Sequence, residues 1–311
     1  MNVMVRVSNL SKQFDGIKAV DDLSFTVNEG DVYGFLGQNG AGKSTTLRMM
    51  LTLIRPGSGD INIFGKSLQS NRNKVLSQIG AVIERPDLYK YLSAYENLSI
   101  FARLSGLKIT RKLLMDQLQM VGLADRSGSK VKTYSQGMKQ RLGIAVALVH
   151  NPKLILLDEP TNGLDPQGIA DMRNLILSLS REHGKTVIVS SHLLSEIEQI
   201  ANRMIIIHKG KKITEGVVSD LLDPSHTVVE LDTTNNSATL ALLQQSPKWS
   251  AFLQQSHHGI KLQMNKSEIP DLATWLTGTG TGILAINPRN TLEEFFLSLT
   301  NPARYVEPDA N

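Results

Sequence analysis

The sequence has no cysteine among its 311 residues, which excludes disulfides, thiol chemistry and cysteine-ligated metals. It has no apolar run that approaches the ~18–20 residues needed to span a bilayer. Its first residues, Met1–Arg6, lack the long apolar stretch of a secretory signal. We therefore expect a cytosolic chain that reaches a membrane only through a partner.

Aromatic residues are also few, at 5% of the chain, and both tryptophans lie after residue 223. That same segment, Pro224–Asn311, carries five Lys/Arg against eight Asp/Glu, a net charge of −3. The remaining 28 Lys/Arg and 21 Asp/Glu give the first 223 residues a charge of +7. Because most of these positive residues are scattered rather than clustered, we expect a solvated surface and no nucleic-acid partner.

Residues 37–45 read Gly-Gln-Asn-Gly-Ala-Gly-Lys-Ser-Thr and fit the phosphate-binding pattern G-x-x-x-x-G-K-[ST]. A strand-like run precedes them and a run of helical composition follows. In this context backbone N–H groups and a helix N-terminus point at one anion. We expect Lys43 to neutralise the β- and γ-phosphates of a nucleoside triphosphate and the Ser44 hydroxyl to bind Mg²⁺. The nucleotide-binding candidates here are Gly37, Asn39, Gly40, Gly42, Lys43, Ser44 and Thr45.

Apolar periodicity predicts the fold of the first 222 residues. Strand-like runs recur there, among them Val3–Ser8, Leu23–Val27 and Thr186–Ser190. Several runs, such as Leu154–Leu157, are continuously apolar, as in strands buried on both faces of a parallel sheet. From about residue 84 to 151 this strand signal disappears and three helical stretches follow: Tyr95–Leu104, Arg111–Met120 and Gln136–His150. We predict an α/β domain over residues 1–222, with a helical insertion at about 84–151.

A new pattern begins after residue 222. It predicts strands at Thr227–Leu231, Ile260–Met264 and Gly282–Ile286, with intervening helices and a last helix that opens with a capping box, Thr291 and Glu294. That helix has an apolar face of Leu292, Phe295, Phe296 and Leu299. We predict a small α/β accessory domain over residues 223–311, for dimer contacts or regulation, with no motif that assigns chemistry to it.

Two further motifs carry chemistry. The apolar run Leu154–Leu157 ends in Asp158 and Glu159. A solvated strand end is one reading of this pair. In the other, Asp158 coordinates Mg²⁺ through water and Glu159 polarises the attacking water as a general base. Upstream, Tyr134-Ser135-Gln136-Gly137-Met138 opens a long helix, in which Ser135 could serve only as an N-cap.

The order of these motifs resembles the nucleotide-binding subunit of ATP-binding-cassette (ABC) transporters, over residues of about 3–222. The resemblance implies a P-loop NTPase cassette with a mostly parallel core sheet and antiparallel N-terminal strands. It places Ser135 and Gly137 at the serine and second glycine of the family's signature, which contacts ATP. Three signature positions differ from the family's pattern: Tyr134, Gln136 and Met138.

Other positions gain roles from the same resemblance. Phe14 stands where an aromatic ring stacks on adenine, although an isolated aromatic there is more often part of a core. His192 takes the place of the switch histidine that contacts the γ-phosphate, although a lone histidine could be a turn residue. Asp165 lies in the loop that crosses to a partner subunit, and it is also a good N-cap. Glu84 replaces the usual glutamine close to Mg²⁺, so the metal candidates are Ser44, Glu84 and Asp158.

The resemblance also implies partners. One phosphate loop and one signature per chain imply a head-to-tail pair of identical subunits with ATP and Mg²⁺ sandwiched between them. The family resemblance also implies an integral membrane permease, which would hold the chain at the inner face of the cell membrane. Residues 91–98 and the Tyr134 signature variant are similar to the ATPases of bacitracin export and lantibiotic immunity. Two alternatives stay open: an ABC ATPase of translation or DNA repair without a transport role, and the ATPase of a lipid or polysaccharide exporter.

Overall fold

The computed structural model describes residues 2–221, 227–254 and 259–290. The chain divides into two compact units between Val218 and Ser219. The predicted helix with the Thr291 capping box lies outside the described residues.

A six-stranded sheet forms the centre of the first unit. Its spatial order is β10 (Lys211–Val217), β9 (Arg203–His208), β3 (Val32–Leu36), β8 (Thr186–Ser191), β7 (Leu154–Asp158) and β6 (Ile79–Val82). All neighbours are parallel except β10, which is antiparallel to β9. Every residue of β3, β7 and β8 is buried, as their continuous apolar runs predict. The carboxyl ends of the parallel strands share one edge, where ligands of open α/β sheets bind.

A second, antiparallel sheet lies over the first. Its order is β2 (Ile17–Asn28), β1 (Val3–Phe14), β4 (Ser58–Ile63) and β5 (Lys66–Ser67). The Phe25 ring of β2 packs 5.9 Å from the Tyr33 ring and 5.3 Å from the Phe35 ring of β3, between ring centroids. The same hydrophobic cluster includes Leu47 and Met50 of α1 (Lys43–Met50). The two sheets therefore share a core that fixes α1.

Polar side chains also join the sheets. The buried Tyr33 hydroxyl donates to Glu215 Oε1 of β10 at 2.9 Å, and the backbone N–H of Thr26 in β2 donates to the same oxygen at 3.1 Å. Burial and then the Glu215 carboxylate raise the pKa of Tyr33 well above its usual range. The hydroxyl is therefore a fixed donor that satisfies a carboxylate at the junction of the sheets.

Helices complete the first unit. The insertion holds α3 (Ala94–Leu104), α4 (Arg111–Met120) and α5 (Gln136–Leu148), which confirms the predicted helical segment. The remaining helices of this unit are α2 (Arg72–Leu76), α6 (Pro166–Arg181) and α7 (Leu194–Ile200), and α8 (Val218–Leu221) begins at the boundary with the second unit. None of the helices in the described parts of the chain is both long and apolar enough to cross a bilayer.

The second unit has a β-α-β-β-α-β order: β11 (Thr227–Thr233), α9 (Asn236–Gln245), β12 (Leu253–Gln254), β13 (Ile260–Met264), α10 (Ile269–Gly278) and β14 (Ile283–Asn290). Its antiparallel sheet runs β12-β13-β11-β14, which is the ferredoxin-like arrangement. Leu243 and Leu276 of the helices join Val229, Leu231 and Leu262 in one core. Trp249 and Trp275 pack there with ring centroids 6.2 Å apart.

Each unit has its own core, so each is expected to fold by itself. We predict that deleting Pro224–Asn311 leaves a chain that unfolds cooperatively and binds ATP within about threefold of the full-length affinity. Circular dichroism melting and isothermal titration calorimetry measure the two properties. An aggregated product, or one without nucleotide affinity, would show that the accessory unit is needed for the fold of the first.

Candidate ATP-hydrolysis site

The phosphate loop connects β3 to α1 and is held by close backbone contacts. A Cβ on Gly37 would lie 2.6 Å from the Ile207 carbonyl oxygen. Gly42 has a φ of +105°, and a Cβ there would lie 2.5 Å from the Ala19 carbonyl oxygen. Gly42 is also the N-cap of α1, and with no side chain it caps none of the N–H groups of the first turn. Those N–H groups and the helix dipole make this turn an anion site.

The other loop residues surround this turn. Asn39 and Gly40 are exposed at the tip of the loop, and Ser44 and Thr45 are half-buried in the first turn of α1. The structure thus places all seven predicted nucleotide-binding residues of the loop in one short segment at the carboxyl edge of the sheet.

Lys43 is buried, with 5% of its side chain exposed. Its ammonium group donates to the carbonyl oxygens of Gly37 at 2.6 Å and Gln38 at 3.1 Å. It also lies 3.0 Å from Glu159 Oε1, as an ion pair that is not aligned as a hydrogen bond. The cation is therefore held between the phosphate loop and the acid at the end of β7.

Ser190, near the end of β8, organises the acidic pair. The Ser190 hydroxyl donates to Asp158 Oδ1 at 2.6 Å and accepts the backbone N–H of Glu159 at 2.9 Å. Asp158 and Ser190 are almost completely buried. Asp158 Oδ2 is also buried, and it has no hydrogen-bond partner among the described residues. A buried carboxylate oxygen of this kind needs a cation or a donor.

Glu159 links the two neighbouring strands. Its backbone is left-handed, with φ at +48°, a sparsely populated conformation that is concentrated at functional sites. His192 Nδ1 lies 2.8 Å from Glu159 Oε2. Because an ionised carboxylate can only accept, the proton of this bond is on Nδ1. One carboxylate thus contacts Lys43 through one oxygen and His192 through the other.

An open cleft of about 700 Å³ lies beside Asp158 and Glu159. The three metal candidates, Ser44, Glu84 and Asp158, line this cleft together with the first turns of α5. Its lining residues are Ser44, Glu84, Arg85, Gln136, Gln140, Asp158, Glu159, Asn162 and Gly163. Glu84 is 65% exposed, has a left-handed backbone with φ at +59°, and forms an ion pair with Arg48. Its carboxylate is therefore at the cleft but already shared with a guanidinium group.

Phe14 ends β1, directly before the turn into β2. Its ring is 42% exposed and does not belong to a core, and Lys12 Nζ lies 5.1 Å from its centroid. Farther along β2, the backbone carbonyl of Ala19 lies against Gly42, since a Cβ on that glycine would be 2.5 Å from the carbonyl oxygen. The hairpin that contacts the phosphate loop through Ala19 thus carries an exposed aromatic ring at its turn.

The signature residues start α5. Ser135 is its exposed N-cap, and its hydroxyl accepts the Met138 N–H at 3.2 Å. A Cβ on Gly137 would first meet Leu164 at 3.8 Å, so local packing does not require glycine there. Tyr134, which departs from the family pattern, is buried, and its hydroxyl donates to the Arg126 carbonyl oxygen at 2.6 Å. That burial raises the pKa of Tyr134.

Asp165 has the local role that the sequence predicted for it. Its carboxylate caps α6 by accepting the Gly168 N–H at 3.0 Å, and Pro166 takes the first helical position. Ser190, in contrast, had no role in the sequence interpretation. The sequence signal that could have identified it is the pair Ser190-Ser191, which stands between an apolar run and His192.

Comparison with known proteins agrees with this geometry. Residues 20–162 match the family model described as ABC transporter. The chain is 40% identical to the bacitracin transport ATP-binding protein BcrA of Bacillus licheniformis, over 96% of this chain and 98% of that protein. The chain belongs to the ABC transporter family. It is also 42% identical to the lantibiotic transport ATP-binding protein SrtF of Streptococcus pyogenes, over 68% of this chain and 90% of that protein.

Solved ABC cassettes have the same fold. One is the dimeric post-hydrolysis state of the cassette MJ0796 bound to ADP and Pi, with a TM-score of 0.62 and 28% identity, over 69% of this chain and 99% of that one. The predicted fold class is therefore confirmed, and the chain is an ATP hydrolase of the ABC type.

Proposed function

We propose that this chain is the ATP-hydrolysing subunit of an exporter, and that it drives a separate membrane permease which expels a peptide antibiotic or another amphipathic compound. The observation that carries the proposal is the position of Glu159, whose two carboxylate oxygens contact Lys43 and His192 beside the phosphate loop. This arrangement combines an anion site, a cation and a base at one edge of the sheet.

In this proposal the phosphate loop binds ATP. The N–H groups of residues 37–45 surround the phosphates, Lys43 neutralises the β- and γ-phosphates, and Phe14 stacks on adenine. Lys43 is suited to this role because its ammonium group is already directed across the loop at the Gly37 carbonyl oxygen.

Mg²⁺ fits the residues of the cleft. Asp158 Oδ2 is a buried oxygen that no group of the described residues satisfies, and Ser44 and Glu84 line the same cleft. Within the described residues no cluster of three acidic or histidine side chains could hold a metal alone. A site of one or two carboxylates completed by phosphate oxygens is the usual one for Mg²⁺. Bound there, Mg²⁺ would neutralise charge that develops on the β- and γ-phosphates.

Glu159 acts as the general base. Its carboxylate takes a proton from water while the water oxygen bonds to the γ-phosphorus and the bond to the bridging oxygen of ADP breaks, leaving ADP and phosphate. His192 orients this carboxylate through Nδ1. Its Nε2 has no hydrogen bond within the described part of the chain, and a ring that carries a proton on Nε2 as well would donate to the γ-phosphate through that atom.

A second copy of the chain completes the site. Ser135 is exposed at the start of α5, and Gly137 has space around it that its own unit does not fill. In a head-to-tail pair, both residues would contact the γ-phosphate held by the loop of the partner. MJ0796, a structural relative, is described as dimeric.

The names of the relatives support the proposed permease and its cargo. Two of them are named for bacitracin transport and lantibiotic transport, so a peptide antibiotic is the proposed cargo and the inner face of the membrane the proposed location. The test is co-expression of the chain with a candidate permease in a bacitracin-sensitive strain. Resistance that rises with the wild-type chain and not with Glu159→Gln supports the proposal. Equal resistance with both chains contradicts it.

Glu84 gives a prediction about coupling to the permease. Glu84→Gln removes a negative charge beside Asp158 and the triphosphate, so Mg²⁺-dependent closure should change more than the chemistry. We expect basal ATP hydrolysis within about threefold of the wild type, measured by phosphate release, together with weaker resistance in cells that carry the permease.

Asp87→Asn is the matched control, because Asp87 is another exposed acid of the same segment. A Glu84→Gln chain that loses hydrolysis as completely as Glu159→Gln would make Glu84 catalytic. Unchanged hydrolysis and unchanged resistance would make it a surface glutamate only.

A further inference from the structure

Glu196, in the first turn of α7, holds two segments of the hydrolysis site together. Its Oε2 atom accepts the Thr161 hydroxyl at 2.8 Å and the Ser191 hydroxyl at 2.7 Å. Thr161 follows Glu159 by two residues, and Ser191 directly precedes His192. A single carboxylate oxygen therefore joins the chain segment of the base to that of the histidine.

Ser191 extends this connection to the phosphate loop. Its hydroxyl accepts the Leu193 N–H at 3.0 Å, so it fixes the turn on both sides of His192. Its carbonyl oxygen accepts the Gly37 N–H at 3.2 Å, at the first residue of the loop. Ser191 is 1% exposed. The side chain of Glu196 is thus linked by partly buried hydrogen bonds to the segments of the base and the histidine, and through Ser191 to the loop.

The packing of α7 does not by itself require an acid at this position. The buried residues of that helix are Leu194, Ile197 and Ile200, which already form its apolar face. The small cavity beside Glu196 is lined mostly by apolar residues, among them Ile169 and Val189, and also by Arg173. A carboxylate in such surroundings is costly unless it is hydrogen-bonded, and bonds from hydroxyl groups to a carboxylate are strong.

We propose that Glu196 is a positioning residue for ATP hydrolysis, which sets the 2.8 Å distance between Glu159 and His192 by holding Thr161 and Ser191 on one oxygen. Without it, the Glu159–His192 contact and the hydrogen bonds of Ser190 still join the end of β8 to the segment after β7, but Thr161 and Ser191 are no longer held on one oxygen. The base then samples orientations in which it does not face the attacking water. The inference depends on ATP hydrolysis by this chain and is independent of the cargo.

The test is steady-state ATP hydrolysis by full-length Glu196→Ala and Glu196→Gln chains. A misplaced catalytic group costs up to about 10²-fold, so Glu196→Ala should lower kcat by about 10- to 100-fold. The KM for ATP and the ATP affinity should stay within about threefold. Glu196→Gln keeps an acceptor oxygen for both hydroxyls, so it should restore kcat to within about threefold of the wild type.

Two further variants separate positioning from general stability. Ser195→Ala changes an exposed neighbour on the same helix and should leave kcat unchanged. Thr161→Val removes one of the two hydroxyls that Glu196 binds. Adding Glu196→Ala to this variant should therefore lower kcat by a smaller factor than Glu196→Ala does in the wild type. The proposal is wrong if Glu196→Ala keeps wild-type kcat, if kcat and ATP affinity fall together, if Glu196→Gln fails to rescue, or if the two substitutions are additive.

Discussion

Replacing Glu159 with glutamine is expected to lower ATP turnover by about 10²–10⁴-fold, the usual contribution of a general base. Glutamine keeps the size of the side chain, and its oxygen can still accept from His192. It cannot take a proton from water, and it removes the ion pair with Lys43. ATP affinity should therefore stay within about tenfold of the wild type, because the phosphate loop itself is unchanged.

Phosphate release under saturating ATP measures the turnover, and calorimetric titration measures the affinity. Glu182→Gln is the matched control, since Glu182 is an exposed acid at the end of α6 and should keep wild-type turnover. Wild-type turnover in the Glu159→Gln chain would remove Glu159 from the catalytic role.

Replacing Lys43 with alanine is expected to have the largest effect on nucleotide binding. The ammonium group is the buried cation of the loop, and bonds from a cation to phosphate are strong. We expect ATP affinity to fall by about 10²-fold or more, which corresponds to about 2.7 kcal/mol. The rise in melting temperature that ATP gives the wild-type chain should disappear, because ligand stabilisation depends on concentration relative to Kd.

Lys18→Ala serves as the control, because Lys18 lies exposed on β2 and pairs with Asp21. Melting without nucleotide checks that the Lys43→Ala chain is folded. Wild-type ATP affinity in a folded Lys43→Ala chain would mean that the phosphates bind elsewhere.

Much of the site could be predicted because it depends on local sequence. Continuous apolar runs identified β7 and β8, and the residues that follow them lie at one edge because parallel strands end together. The phosphate loop and the acidic pair are contiguous in the sequence. The confirmed helical insertion has ordinary helical periodicity, and Ser135 begins α5 as an N-cap signal indicates.

The side-chain contacts that could not be predicted depend on which residues face each other across neighbouring strands. The Ser190 hydroxyl meets Asp158 because these residues are paired between β8 and β7, and no local pattern gives that pairing. The same holds for Glu196, whose partners come from two different strand ends. Distance in the sequence hides such contacts until the strand order is known.

Strand ends were missed for a different reason. The predicted runs Val3–Ser8 and Leu23–Val27 cover only part of β1 and β2, because the pairing shifts between Val7 and Leu10 and breaks the alternation of side chains. Asn9 has a left-handed backbone at this bulge. The edge strand β10 begins with two lysines, and lysines on edge strands protect against aggregation. Because these charged residues interrupt the apolar pattern, the segment resembles a loop in the sequence.

The central claim is that two copies of this chain close around ATP, each with its phosphate loop facing the Ser135 of the other. Mass measurement by light scattering during size-exclusion chromatography tests it on full-length Glu159→Gln chains, with and without a second substitution, Ser135→Arg. We predict that ATP converts the Glu159→Gln chain from monomer to dimer. The doubly substituted chain should bind ATP with similar affinity and stay monomeric. A dimer that persists with Ser135→Arg, or an ATP affinity that is lost with it, would contradict the claim.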